Sequence, residues 1–293
     1  MKIGLIPINI GFDPADRMIE VAQTAESVGV ESLWTFEHAI IPMEYDSKYP
    51  YTADGRMAAE PDMIMIDPLI ALAAVAGATK TIRLGTGVNI LSQVNPLMMA
   101  KQAAGLDFIS NGRFMLGVGI GWLREEFDAM GTPFERRGER FDDYVLAMKK
   151  MWSGDVVEHD SDFINWTNFK SYPLPVQTSR NGGKPGVPII IGGNKGKAFE
   201  RVAKVGAGWF APSVSPEDLA PYMDTLADAC KAEGRDPATV EVTAMWAMQG
   251  GMDTIKQFED LGVERLNIPL QVMGAGNAVD NIKRLGDDLL AKL

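Results

Sequence analysis

Short apolar runs alternate with longer amphipathic segments along the chain. Runs at 2–9, Glu31-Phe36, Ile82-Val88, Phe114-Gly119, 188–192, 208–211, 239–246 and 264–268 read as strands, being short, apolar and bounded by turn-forming residues. Between them lie segments with helical spacing, several opened by a cap residue and proline. They are a helix capped by Asp13 with Pro14 in its first turn, Asp67-Pro68 through Lys80, Pro96-Ser110, Glu135-Trp152, 195–205, Pro216-Glu233, 252–261 and 276–291. Apolar strands joined by crossover helices demand a parallel sheet covered on both faces. Eight such units suit closure into a barrel better than a doubly wound open sheet. The expected fold is therefore α/β: a (β/α)8 TIM barrel over 1–293, as one domain.

Two segments interrupt the rhythm, 37–66 after the second strand and 153–187 after the fourth. Loops of that length in a compact domain commonly serve function. The first carries Met43, Tyr45, Tyr49, Tyr51, Met57, Met63 and Met65, a composition suited to covering an apolar ligand or to a subunit interface. The second carries Trp166, Phe169 and Tyr172, then a turn at Asn181-Gly182-Gly183-Lys184-Pro185-Gly186, and reads as a barrel insertion.

In such barrels active sites lie at the C-terminal strand ends. That rule selects Glu37 and His38, Gly87 to Asn89, Gly119 to Trp122, and Gly192 to Asn194. Two strand ends are glycine-rich, Leu84-Gly85-Thr86-Gly87-Val88 and Leu116-Gly117-Val118-Gly119-Ile120-Gly121-Trp122, as expected where a flat ring presses on bare backbone. An imidazole at His38 can give or take a proton near neutrality. It should point inward with Trp34 and Phe36, and strand alternation then turns Glu37 away unless the strand has ended. Gly192-Gly193-Asn194-Lys195-Gly196-Lys197 joins a strand to a helix, which makes either an anion site or a tight turn with solvated lysines. Arg136-Arg137-Gly138-Glu139-Arg140 reads as a salt-bridged helix face or a holder of an acidic tail, and Glu125 and Glu126 as solvated helix positions.

These runs, with Asn95-Pro96-Leu97, Ala100-Lys101-Gln102, Phe134-Glu135-Arg136, Pro188-Ile189-Ile190-Ile191-Gly192-Gly193-Asn194 and Gly206-Ala207-Gly208-Trp209, resemble the bacterial luciferase-like flavin or deazaflavin oxidoreductases. The F420-dependent branch is nearest. The resemblance implies F420, with FMN as the alternative, held by Gly87, Val88, Asn89, Gly119, Gly192, Gly193, Asn194, Lys195 and Gly196. It also implies a cis peptide at Gly87-Val88, catalytic roles for His38 and Glu37, where the family commonly has Asp-His, and a substrate beside Trp122 and Trp34. Sugar-dehydrogenating members carry glutamate where this chain has Trp122, so the departure favours a flatter, more apolar substrate. The expected function is F420-dependent hydride transfer to or from a small organic molecule, by a homodimer. Alternatives are a monooxygenase using reduced FMN from a separate reductase, a flavin-binding protein without turnover, and an unrelated barrel enzyme acting on a phosphorylated metabolite.

Composition narrows the remaining classes. A net charge of −11 opposes binding to nucleic acid and anionic membranes. No apolar run approaches the roughly 18 residues a membrane span needs, and the start Met1-Lys2-Ile3-Gly4-Leu5 lacks signal-peptide character, so the expected location is cytoplasmic. Cys230 stands alone, which rules out an intramolecular disulfide and a thiolate cluster. The 17 methionines read mostly as core filler. Metal-ligand spacing, a nucleophile elbow and a P-loop are all missing, and Gly117-Val118-Gly119-Ile120-Gly121 departs from the dinucleotide-binding pattern.

Overall fold

The alternation read from the sequence forms a closed barrel in the computed structural model, which describes residues 1–179, 182–212 and 215–293. Asn181, in the turn expected before the fifth barrel strand, lies outside the described residues. The strands are β1 (Lys2–Ile6), β2 (Ser32–Thr35), β3 (Arg83–Thr86), the two-residue β4 (Asn89–Ile90), β5 (Phe114–Gly119), β6 (Val157–His159), β7 (Trp166–Phe169), β8 (Ile189–Gly192), β9 (Gly208–Phe210), β10 (Glu241–Met245) and β11 (Arg265–Pro269). Pairing runs β3-β2-β1-β11-β10-β9-β8-β5, and β3 pairs with β5 to close a parallel ring of eight. β4 extends the β5 edge, while β6 and β7 form a separate antiparallel hairpin inside the 153–187 insertion.

Around the ring lie α1 (Asp16–Ser27), α2 (Pro68–Ala78), α3 (Pro96–Ile109), the short α4 (Arg124–Ala129), α5 (Arg137–Met151), α6 (Ala198–Val205), α7 (Pro216–Ala232), α8 (Gly251–Asp260) and α9 (Ala278–Asp288). Cap chemistry sets several starts. Asp67 accepts from Ile70 N, Asn95 from Leu97 N, and Ser215 from Asp218 N, each followed by proline at the first helical position. The expected Asp13 cap does not form: the Asp13-Pro14 bond is cis, a turn intervenes, and α1 begins after Ala15 without a side-chain cap. α6 starts three residues later than expected because Gly193 (φ 100°) and Gly196 (φ 58°) hold the preceding turn in left-handed backbone.

The main core fills the layer between strands and helices. A second cluster, Ile6, Trp34, Met115, Ile190 and Phe210, fills the inside of the barrel, with the Trp34 and Phe210 rings 5.4 Å apart. At the N-terminal strand ends, fully buried Arg265 lies between Glu31 and Glu241 and also donates to Thr243 Oγ1 at 3.0 Å. Against the penalty of burial, the paired Glu31 keeps the Arg265 guanidinium charged, and the same pairing draws the Glu31 carboxyl below its usual range. The barrel is thus plugged from its base upward, leaving open space at the C-terminal mouth.

Candidate active site

β2 ends at Thr35, so the chain leaves strand geometry before Glu37 and both Glu37 and His38 line one mouth cavity. That cavity, about 310 Å³, is mostly apolar, with Pro7, Phe36, Tyr49, Met57, Met63 and Met65 in its wall beside the polar Thr52 and Gln271. Insertion 37–66 supplies most of that wall and contains no helix or strand. A second cavity of about 270 Å³ adjoins it and is lined by the Gly192–Lys195 turn, Arg137, Arg201 and Gly119. The two share Tyr51, Val88, Ile90 and Trp122. Trp122 is fixed there by edge contacts to Tyr45, Tyr49 and His38, at 5.7, 5.1 and 6.1 Å between ring centroids.

The Gly87–Val88 peptide bond is cis, as the resemblance implied. At the glycine-rich strand ends the chain itself approaches several of the bare positions closely. Cβ atoms added at Gly119 or Gly192 would meet the Val88 side chain at 2.9 or 3.0 Å, and one at Gly117 would strike the Thr86 carbonyl. The glycines make room for Val88 and its neighbouring backbone. Gly85 is bare because the Trp34 ring lies against it.

Glu37 accepts hydrogen bonds from Asn89 Nδ2 at 2.6 Å and from Ile90 N. Burial pushes its carboxyl up to about 7, against those two hydrogen bonds and with help from the charges of Glu126 and Asp67. Asn89 Oδ1 is buried without a partner, so a turned amide could receive the proton that a neutral Glu37 would carry. His38 Nδ1 meets Glu126 Oε2 at 3.0 Å, and Glu126 Oε1 also accepts from Ala39 N at 2.6 Å. The neighbouring Glu125 accepts from Asp46 N at 2.7 Å and Ser47 N at 3.1 Å. Burial opposes ionisation of Glu125, but the Ser47 and Asp46 donors prevail and hold it at about 2. Glu126 is 2% exposed, so the expectation of two solvated acids is overturned: α4 uses both to clamp the 37–66 loop.

Other expected site residues divide. Gly87, Val88, Gly119, Gly192, Gly193, Asn194, Lys195 and Trp122 line the mouth cavities. Asn89 does not; it is buried behind Glu37. Gly196 lies in the exposed part of its turn, outside both linings. Trp34 is fully buried below the mouth, with its Nε1 donating to Ser32 Oγ at 2.9 Å, so it packs the barrel and contacts neither cavity. Sequence reading missed Glu126 and Arg201. Arg201 packs over Phe141 and pairs with Asp142 at 2.5 Å while facing the polar cavity. Arg137, from the basic run, donates from Nε to Gly121 O at 3.1 Å and pairs with no carboxylate among the described residues. A larger cavity, about 520 Å³, opens at the opposite barrel end and contains none of the expected site residues.

The model of the family described as luciferase-like monooxygenase matches residues 5–249. The chain belongs to that family. An uncharacterized Mycobacterium tuberculosis protein is 29% identical over 95% of this chain and 94% of its own. An F420-dependent glucose-6-phosphate dehydrogenase of Amycolatopsis mediterranei is 28% identical over 82% of this chain and 66% of its own. The oxygenase component of a flavin-dependent trigonelline monooxygenase from Acinetobacter baylyi is 30% identical over 60% of this chain and 42% of its own. The structure of a coenzyme F420-dependent tetrahydromethanopterin reductase from Methanopyrus kandleri superposes with a TM-score of 0.76 at 16% identity, covering 99% of each chain. The family is therefore one of oxidoreductases whose members include F420- and flavin-dependent enzymes. Among the described residues no side-chain cluster suits a metal ion, and no helix is long and apolar enough to cross a membrane.

Proposed function

We propose that this chain is an F420-dependent oxidoreductase acting on a small apolar molecule. The observation that carries the reading is the pairing of cavities. One has Arg137, Lys195 and the Asp142-paired Arg201 in its wall and no acidic side chain in its lining, and it meets an apolar one holding His38 and Glu37. In a chain of net charge −11, that local basic wall suits an anionic tail. Asn194 Oδ1, buried there without a partner, suits a hydroxyl donor on the same ligand. The Tyr51 phenol, shared by both cavities, is a neutral hydroxyl that can donate at their junction. The residues present thus fit a phosphorylated, polyhydroxylated cofactor with its ring near Val88. A bound deazaflavin supplies a carbon that takes up or gives a hydride. The protein orients the reactants, keeps water out beneath the 37–66 loop, and handles the proton at His38 and Glu37. Wider coverage by the F420-dependent relative favours F420 over FMN.

The second reading, an oxygenase component using reduced FMN from a partner reductase, draws on the flavin-dependent relative and the same sheltered apolar cavity. Fluorescence titration of the protein with F420 and with FMN, each oxidised and reduced, separates the readings. Tight F420 binding with weak FMN binding supports the first. Preference for reduced FMN supports the second, and binding of neither overturns both.

We also infer a homodimer. The neighbouring helices α2 and α3 expose Ile70, Met98, Phe108 and Ile109, each more than half accessible, beside the small Ala74 and Gly77. An apolar face with small residues suits close packing against its own copy about a two-fold axis.

A further inference from the structure

Glu126 sits on α4, 88 residues along the chain from His38, yet only 2% of it is exposed and its two oxygens have divided duties. Oε1 takes the backbone N–H of Ala39 at 2.6 Å and of Ile40 at 3.4 Å, while Oε2 faces His38 Nδ1 at 3.0 Å. A carboxylate is an acceptor alone, so Nδ1 must carry a hydrogen. The neutral imidazole then has its lone pair on Nε2, the nitrogen without a protein partner among the described residues, on a ring that lines the apolar cavity. We propose that Glu126 is a positioning residue that fixes His38 as the Nδ1–H tautomer and so keeps Nε2 a proton acceptor towards that cavity.

The substrate group that suits such a nitrogen is a hydroxyl. Its proton passes to Nε2, and Glu126 then faces an imidazolium. A bound oxidised deazaflavin would supply the acceptor for the hydride lost from carbon as the carbonyl forms. The substrate half of this inference rests on the cofactor reading above; the tautomer does not.

Glu126→Gln inverts the arrangement without removing the clamp. The glutamine oxygen stays with Ala39 N, which can only donate. Its NH₂ takes the place of Oε2, and facing that donor Nδ1 must accept, so Nε2 gains the hydrogen. The chain has two histidines, so ¹⁵N labelling of histidine gives two readable rings. His159 is the internal reference: its Nε2 bonds Asp143 at 2.8 Å and its Nδ1 is unpartnered, which expects the opposite tautomer from His38. Long-range ¹H–¹⁵N spectra, recorded where both rings are neutral, should show His38 as Nδ1–H in the wild type and Nε2–H in Glu126→Gln, with His159 unchanged. In an enzyme shown to turn over an alcohol, the variant should lose about 100-fold in kcat with KM within about twofold, the lower end of general-base contributions. His38 found as Nε2–H in the wild type, or unchanged in the variant, overturns the proposal. Failure to bind F420 or FMN would overturn the cofactor reading and leave the spectra as they are.

Discussion

Replacing Glu37 by glutamine should change how stability depends on pH. In the unfolded chain the carboxyl titrates at its ordinary 4.5; in the folded protein burial moves it up to about 7. Between those values the native state binds the proton more tightly, so the contribution of this group is fully present below about 4.5 and is lost as pH rises through 7. The rise, at about 1.4 kcal/mol per pH unit, corresponds to about 3 kcal/mol. Glu37 is half-buried, so its partial exposure reduces the expected effect to about 1–3 kcal/mol. Glutamine should fit. The Asn89 amide can turn so that its unpartnered Oδ1 accepts from the new NH₂, while the glutamine oxygen keeps Ile90 N. The assay is thermal unfolding of both proteins from pH 5 to pH 8. For a protein of this size about 1 kcal/mol moves Tm by about 2–4 °C, so the wild type should lose about 2–12 °C relative to the variant across that range. Parallel Tm profiles, within 1 °C of each other throughout, would refute a protonated Glu37 in the native cavity.

Other outcomes test separate links. Arg137→Ala should weaken F420 binding at least about tenfold, and more at low salt, because it removes a cation from the polar cavity; unchanged affinity would remove the tail assignment. Arg265→Met should destabilise the barrel by about 3 kcal/mol by leaving Glu31 and Glu241 with the more distant Arg83, at 3.8 and 3.7 Å, as the cation they share, read by denaturant midpoints, with cofactor affinity of the folded fraction unchanged. Trp34→Ala should also cost about 3–5 kcal/mol of stability, with no change in cofactor affinity beyond about twofold if Trp34 is only packing. Ala74→Arg on the exposed α2 face should give a monomer by sedimentation, and a wild type that is already monomeric would dismiss the dimer.

Much of the barrel was legible because a buried parallel strand is an apolar run and its crossover helix shows cap and proline punctuation. What the sequence hid depends on depth and on contacts distant in the chain. Trp34 has the inward parity expected of it, but parity does not say how far below the mouth a ring lies. The glycine runs are real signals of close approach, and the approaching groups lie in the same chain: Trp34 at Gly85, the Thr86 carbonyl at Gly117 and Val88 at Gly119. Glu125 and Glu126 look like a solvated acidic pair, since nothing local distinguishes a carboxylate facing water from one facing backbone N–H groups of a distant loop. Glu37 was visible as a strand-end acid, but its elevated carboxyl follows from a cavity that forms only when 37–66 folds over it.

The clamp formed by α4 also sets where this scaffold can vary. Its two acids fasten 39–40 and 46–47, and Trp122, the wall common to both cavities, stands a few residues before them on the same stretch of chain. The segment from 48 to 65 is strung between those anchors and the isolated bridge at Met65, and it supplies Tyr49, Met57 and Met63 to the substrate side. A change of side chains there alters the apolar cavity while the Glu126 support of His38 stays in place, but Pro50 and Tyr51 of the same segment also line the second cavity. Residues 48–63 thus form a stretch whose side chains can vary between two fixed anchors, and on the proposed reading a graft of this stretch from a relative should change ligand selectivity while the His38–Glu126 contact is kept.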